Sequence, residues 1–278
     1  MGPFSPHEYF WLIGLGLAVG LYGTLIGAGG GFILMPLLLL LYPKASPEQL
    51  TAVSLAVVFF NALAGSESYA MMRRIDYKSG LLFAAATIPG AIIGALSTSR
   101  VPRPLFDAIF GGLLLAAGVF LFLRTPLAHN NGAKRHLHHP SATRHLVTAT
   151  GEEFDYNFNP LVGMAISFVV GFASSFLGIG GGIIHVPALI FFLDFPVHVA
   201  TATSHFILAI MALTGTIVHI WTGTFHEGAR HTLSLSIGVL LGAPVGAYLS
   251  SRIGGSWIVR SLGLALGLVG LRILALLL

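Results

Sequence analysis

The run Gly27-Ala28-Gly29-Gly30-Gly31 recurs as Gly178-Ile179-Gly180-Gly181-Gly182. Each copy sits inside strongly apolar sequence, with a proline five residues beyond its last glycine, Pro36 and Pro187. Glycine costs about 1 kcal/mol against alanine in a helix interior, so four glycines in five residues break a helix that enters them. In lipid an unpaired backbone group is costly, which confines broken backbone to protein interiors or the walls of polar cavities. One such break can be a packing kink. Two, at matching places in the two halves of a chain, point to a binding site between repeats.

The surrounding sequence settles the solvent. Of 278 residues, 55% are hydrophobic and 9% charged, against about 25% charged in a soluble domain. Several apolar runs reach the roughly 20 residues that span a bilayer. With no cysteine, disulfides and thiolate metal sites are excluded. The net charge of +4 reads as membrane orientation, not as nucleic-acid binding.

The echo extends beyond glycine. Thr51, Ser54, Gly65, Gly90, Gly94, Arg100 and Gly111 map in order onto Thr201, Ser204, Gly215, Gly242, Gly246, Arg252 and Gly263, with an offset of 150–152 throughout. The chain therefore reads as a tandem duplication, 8–124 and 159–278, around a connector at 125–158. The first half divides into apolar segments near 9–27, 32–42, 50–72, 80–98 and 104–123, and the second repeats them. The second segment of each half rises only about 16 Å as helix, too little to span alone. The expected fold is an all-α integral membrane protein of two repeats, with about five helical segments each. The helices are broken or hairpinned at the glycine runs. If each break reverses the chain, the repeats are inverted, the arrangement favoured here; if not, they run parallel. The first segment lacks the basic start of a cleavable signal.

Arg73, Arg74 and Lys78 lie in one loop, and Arg124, Lys134, Arg135 and Arg144 in or beside the connector. Basic loops favour the cytoplasm, which places the connector there and the protein as a multi-pass component of the cell's inner membrane. Gly90-x-x-x-Gly94 and Gly242-x-x-x-Gly246 suit close helix packing. The connector, with His129, His136, His138, His139 and His145, reads as a polar loop that deletion would spare. Its imidazoles raise a second reading, a transition-metal permease or metal-gated protein. The repeats themselves carry no metal-ligand pattern, and no cofactor motif is present. No lysine follows either run, so Walker A fails; Phe32 and Ile183 stand where a dinucleotide fingerprint needs glycine or alanine.

What remains is a ligand held by exposed backbone N–H groups at Gly27, Gly29, Gly30 and Gly31 and at Gly178, Gly180, Gly181 and Gly182. A helix starting just after each run presents free N–H groups and partial positive charge, which suits an anion. Ser54, Ser204 and His205 are expected to add donors around a small polar cavity near the bilayer middle. Glu67, His185, His205 and His219 are candidates for proton coupling, since ionisable groups inside a membrane tend to mark substrate or proton routes. No catalytic acid–base pair stands at a recognisable spacing, so a membrane-embedded enzyme is the weak third reading.

The stretches 25–36 and 176–187, Ala202-Thr203-Ser204-His205, Gly215-Thr216-Ile217-Val218-His219 and the paired Gly-x-x-x-Gly segments resemble the sulfite exporter TauE/SafE family of organosulfur-anion permeases. The likeness covers both halves and omits the connector. It implies a secondary transporter for sulfite, a sulfonate or a related small organic anion. Protons are the candidate coupling ion. The first half departs from the second at Leu34 and Ala56-Val57, where histidines occur later, so the site is not strictly symmetric.

Overall fold

The structure, a computed structural model, describes residues 6–123, 142–225, 228–253 and 255–275. Five helices precede a strand pair and five follow it: α1 (Pro6–Ile26), α2 (Gly31–Leu41), α3 (Pro47–Met71), α4 (Tyr77–Thr98), α5 (Arg103–Leu123), β1 (Ala142–Val147), β2 (Glu153–Phe158), α6 (Pro160–Leu177), α7 (Gly182–Leu193), α8 (Val197–Trp221), α9 (Ala229–Ser250) and α10 (Gly255–Ala275). Among the described residues, seven helices (α1, α3, α4, α5, α6, α8 and α9) are long and apolar enough to cross a membrane. With 11 and 12 residues, α2 and α7 are not.

The helix starts follow local chemistry. Ser46 and Gln49 form a capping box before α3, with Pro47 in the first turn. Asp76 caps α4 through the Ser79 N–H, and Asn159 caps α6 ahead of Pro160. Side-chain oxygens there satisfy the N–H groups a helix leaves open at its start. Starting instead at Gly30 and Gly181, α2 and α7 have no side-chain cap.

Small residues decide which helices pair. A Cβ on Gly16 or Gly20 of α1 would strike Leu235 or Val239 of α9, and one on Gly238, Gly242 or Gly246 of α9 would strike Ile13, Leu17 or Leu21. The numbers rise together, so α1 and α9 run parallel. In the same way Gly90 and Gly94 of α4 lie against Phe168 and Phe172 of α6, also parallel. Gly111 and Gly118 of α5 meet Leu274 and Gly267 of α10, antiparallel. Glycine permits such backbone contact, the main source of helix association where lipid is as apolar as the side chains. Central to these pairs, α3 and α8 cross antiparallel, with Gly65 on His205 and Gly215 on Leu55.

The strand pair corrects the expectation of a loose connector. It is antiparallel, registered from Ala142↔Phe158 to Val147↔Glu153. Strand β2 alternates, burying Tyr156 and Phe158 while Glu153, Asp155 and Asn157 face out. Tyr156 and Phe158 pack tilted against Phe195, with ring centroids at 4.5 and 5.1 Å, and Phe158 meets Phe83 at 5.7 Å. The Tyr156 hydroxyl donates to buried Asp76 at 2.9 Å; burial, with the Asp76 carboxylate beside it, pushes the phenol above its ordinary range and keeps it a donor. The Ala149 N–H donates to the Met72 carbonyl. Residues 142–158 are thus bound to the bundle end. Exposed His145 pairs with Asp155 at 2.8 Å, and that hydrogen bond raises its pKa. His129, His136, His138 and His139 lie outside the described residues, and among the described residues no cluster of metal-ligating side chains forms.

Replacing Phe158 by alanine removes a fully buried ring, a change that costs about 3–5 kcal/mol in a packed core. The expected result is faster hydrogen exchange at the 142–158 amides with the α3 and α8 amides unchanged. Unaltered exchange in the hairpin would refute the aromatic anchor.

Candidate functional site

At each glycine run the chain reverses. Gly27, Gly29 and Gly30 adopt φ of 82°, 75° and 75°, and Gly178 and Gly180 of 68° and 69°, a left-handed backbone open to glycine at no steric penalty. Gly30 folds back against Val19 of α1. From there α2 returns to the face where α1 began: Tyr42 packs on His231 at the start of α9, and Arg103 at the start of α5 donates to the Leu39, Pro43 and Ala45 carbonyls at 2.8, 3.2 and 2.8 Å. Likewise α7 runs back, so that Leu193 touches Gly163 at the start of α6. The two half-helices enter from opposite faces.

They meet in the middle. A Cβ on Gly31 would strike the Ile179 carbonyl, and one on Gly182 would strike Gly27 and Ala28. Both runs are fully buried. The Ile33 and Leu34 N–H groups bond to Gly30, and those of Ile184 and His185 to Gly181. Among the described residues no partner reaches the N–H groups of Gly30, Gly31 and Phe32, or of Gly180, Gly181, Gly182 and Ile183. Each helix N-terminus carries roughly half a positive charge. Two of them, uncapped and abutting inside a protein, create a positive spot built from backbone alone.

The space between the runs differs from the expected polar cavity. The side chains of Val58 and Leu208 press on both Gly29 and Gly180, so the site is shut by one apolar residue from each of the two central helices. Ser54 and Ser204 are also placed differently from expectation. Ser54 Oγ donates to the Gly178 carbonyl at 2.5 Å, and Ser204 Oγ to the Gly27 carbonyl at 3.4 Å. Each serine spends its one proton holding the run of the opposite half. Thr51 lies on Gly178 and Thr201 on Gly27. Among the described residues, the buried Thr51 hydroxyl and Asn61 Nδ2 have no partner.

One buried polar cluster adjoins the first run. His205 Nε2 lies 3.3 Å from Thr24 Oγ1, which donates to Asn61 Oδ1 at 3.0 Å. The Tyr69 hydroxyl bonds the Thr24 carbonyl at 2.6 Å and Ser250 Oγ at 3.2 Å, and its ring stands edge-on to His205 at 5.7 Å. Tyr69 also belongs to this group and was not singled out from sequence. Its signal was a polar residue one turn after Gly65, as Asn61 stands one turn before it. The corresponding positions in the second half, Met211 and His219, carry different chemistry.

The other candidates separate. His185 is buried but bonds Ser167 Oγ at 3.0 Å and faces Phe83. His219 is wholly buried, with neither ring nitrogen partnered among the described residues. Glu67 is exposed on the outside of α3, away from the buried runs. A surface cavity of about 380 Å³ opens on the face opposite the hairpin, lined by Lys44, Ser46, Glu48, Thr98, Ser99 and Arg103. Its wall reaches inward through Thr98 Oγ1, which donates to the Phe176 carbonyl at 3.0 Å, two residues before the second run.

Backbone contact between the runs makes a sharp prediction. Gly31→Ala and Gly182→Ala should each destabilise the detergent-solubilised protein by about 1–3 kcal/mol, the range for overpacking, read as a lowered Tm. Gly14→Ala, where a Cβ meets nothing within 4 Å, should leave Tm unchanged or slightly raised. Equal behaviour of the three variants would refute the contact.

Comparison with known proteins agrees with this architecture. The model of a family described as sulfite exporter TauE/SafE matches residues 12–273. A Bacillus subtilis protein named "Probable membrane transporter protein YunE" is 33% identical over 95% of this chain and 96% of its own. A "Probable membrane transporter protein" of Xylella fastidiosa is 26% identical over 88% of this chain and 85% of its own. "Probable membrane transporter protein MJ0441" of Methanocaldococcus jannaschii is 25% identical over 87% and 84%. No solved structure matches the chain. With a match from the first spanning helix to the last, the chain is a multi-pass membrane protein that belongs to the sulfite exporter TauE/SafE family.

Proposed function

We propose that this membrane transporter moves a small anion, sulfite or an organosulfonate, through a site where α2 and α7 meet. The observation that carries the reading is the pair of abutting half-helix N-termini, whose N–H groups at Gly30–Phe32 and Gly180–Ile183 have no partner among the described residues. Anions bind at such ends because the N–H groups point outward and the helix dipole favours negative charge. Ion sites at broken helices near the bilayer middle recur in transporters. A site of dipoles and neutral donors, with Thr51, Asn61 and His205 beside it, binds without the grip of a guanidinium and so releases its ligand. The family's description and the printed names of the relatives support the same class.

Val58 and Leu208 close the centre in this conformation, and transport requires them to part. The opposed directions of α1 and α6, each followed by a returning half-helix, support inverted repeats that rock about the runs. The basic loop Arg73-Arg74 with Lys78, and Arg144 of the hairpin, support a cytoplasmic hairpin face by the positive-inside rule, in the cell's inner membrane. Protons are the proposed coupling ion, and His205, an imidazole hydrogen-bonded inside the site cluster, is the proposed carrier.

Proteoliposomes holding the purified protein should accumulate sulfite, taurine or sulfoacetate, and not nickel. No flux of any small anion would overturn the reading, and nickel flux would favour a metal permease. His205→Ala should change the pH profile of anion flux and not only its rate. An unaltered profile would remove His205 from coupling and leave it as a binding or packing residue.

A further inference from the structure

From the burial and the unpaired nitrogen of Arg74, we infer a second oxyanion site, a port under the hairpin. The inference rests on the anion reading above and adds a place where the ligand is first captured. Helix α3 ends in a reversal that turns Arg74 inward. The Arg74 N–H reaches back to the Tyr69 carbonyl and the Arg73 N–H to that of Ala70, while Arg73 takes φ of 52°. That left-handed position is usually filled by glycine, and an arginine there is disfavoured. The result is an arginine only 6% exposed, whose NH1 has no partner among the described residues.

A buried guanidinium needs an anion, because an uncompensated charge away from water is strongly unfavourable. The acid beside it is Glu152 in the β1–β2 turn, at 3.9 Å, with a side chain 57% exposed. Such a long, half-solvated contact leaves the guanidinium under-satisfied and is readily displaced. The port adjoins the transport site. The guanidinium lies within electrostatic reach of the Tyr69 hydroxyl, whose partners include Thr24 and whose ring faces His205. It also lies within reach of His198 at the start of α8. Two residues on, the Asp76 N–H donates to Thr203 Oγ1 at 3.0 Å, one position before Ser204. Asp76 itself is held by Ser79, Tyr156 and Arg144, so it does not compete for Arg74. Glu152 is thus a tethered carboxylate occupying the place of a small oxyanion, which displaces it and reaches Arg74 from the hairpin face.

The full-length protein in detergent without added lipid tests this with inorganic sulfite as the probe and the half-maximal concentration for thermal stabilisation as the readout. Glu152→Gln removes the competing charge and should lower that concentration about tenfold, the scale of one charge-assisted hydrogen bond. Arg74→Gln should raise it about tenfold, and Arg74→Lys should restore part of the loss. A purely structural role would lower the starting Tm of Arg74→Gln and leave the sulfite dependence alone. In proteoliposomes, both changes should alter KM for sulfite offered to the hairpin face and not to the opposite face. Wild-type sulfite dependence in Glu152→Gln and Arg74→Gln overturns the port, as does stabilisation by phosphatidylglycerol alone, which would make the ligand a lipid headgroup. Arg74-dependent sulfite binding without flux would instead remove the transport reading and leave the port standing.

Discussion

Two helix N-termini abut in the interior of this protein, and much of the structure follows from making that tolerable. Like partial charges face each other where α2 and α7 begin, and their first N–H groups lack caps. The approach is possible because the touching residues are glycines, with Gly31 on Ile179 and Gly182 on Gly27 and Ala28. It is held from the sides by α3 and α8. Each of these contributes a serine that ties down a carbonyl of the opposite run, Ser54 to Gly178 and Ser204 to Gly27. A side-chain cap would quench the positive spot on which the proposed anion site rests. The starts of α2 and α7 lack side-chain caps, as do those of α8 and α9, while α3, α4 and α6 are capped.

Around this centre the helices pair through backbone contact. Parallel pairs α1–α9 and α4–α6 lie on glycine stripes, and α5–α10 crosses at Gly118 and Gly267. The pairs join a helix of the first half to one of the second, so movement of either half disturbs the runs. The polar cluster of Thr24, Asn61, Tyr69, His205 and Ser250 occupies only one side of the centre, and the second half has Met211 where the first has Asn61. On the other side the buried hydroxyls of Ser174 and Ser175 lie beside Gly181 and Gly215, so the two sides carry different polar groups. The β1–β2 hairpin sits at the end nearer this cluster and ties to it through Asp76 and Arg74.

The legible parts of the sequence were those written in local backbone chemistry. The breaks at 27–31 and 178–182, the short segments that follow, and the long apolar spans could all be read from glycine, proline and hydropathy. The hairpin was missed although Glu153-Phe154-Asp155-Tyr156-Asn157-Phe158 alternates with period two. Its neighbourhood of histidines and charges resembled a solvated loop, and a strand pair is recognisable only with the Phe83 and Phe195 rings it covers. Glu67 stood out as an ionisable group in an apolar segment, and hydropathy did not say which face of α3 carries it. A helix hydrophobic all round has no stripe to say which face is lipid and which is core, and the fold turned Glu67 outward.

By itself the sequence determined that the chain lives in a membrane, where its helices stop and which family it belongs to. These depend on the solvation of backbone and side chains over stretches of twenty residues or fewer. Tertiary structure alone decided that the two runs touch backbone to backbone, that Ser54 and Ser204 cross over to the opposite run, and that Val58 and Leu208 fill the gap. It also placed Arg74 beneath Glu152. Such facts depend on helix rotation and on which small residues meet, and in apolar surroundings many rotations satisfy hydropathy equally well. Only the close fit of backbone to backbone selects one of them.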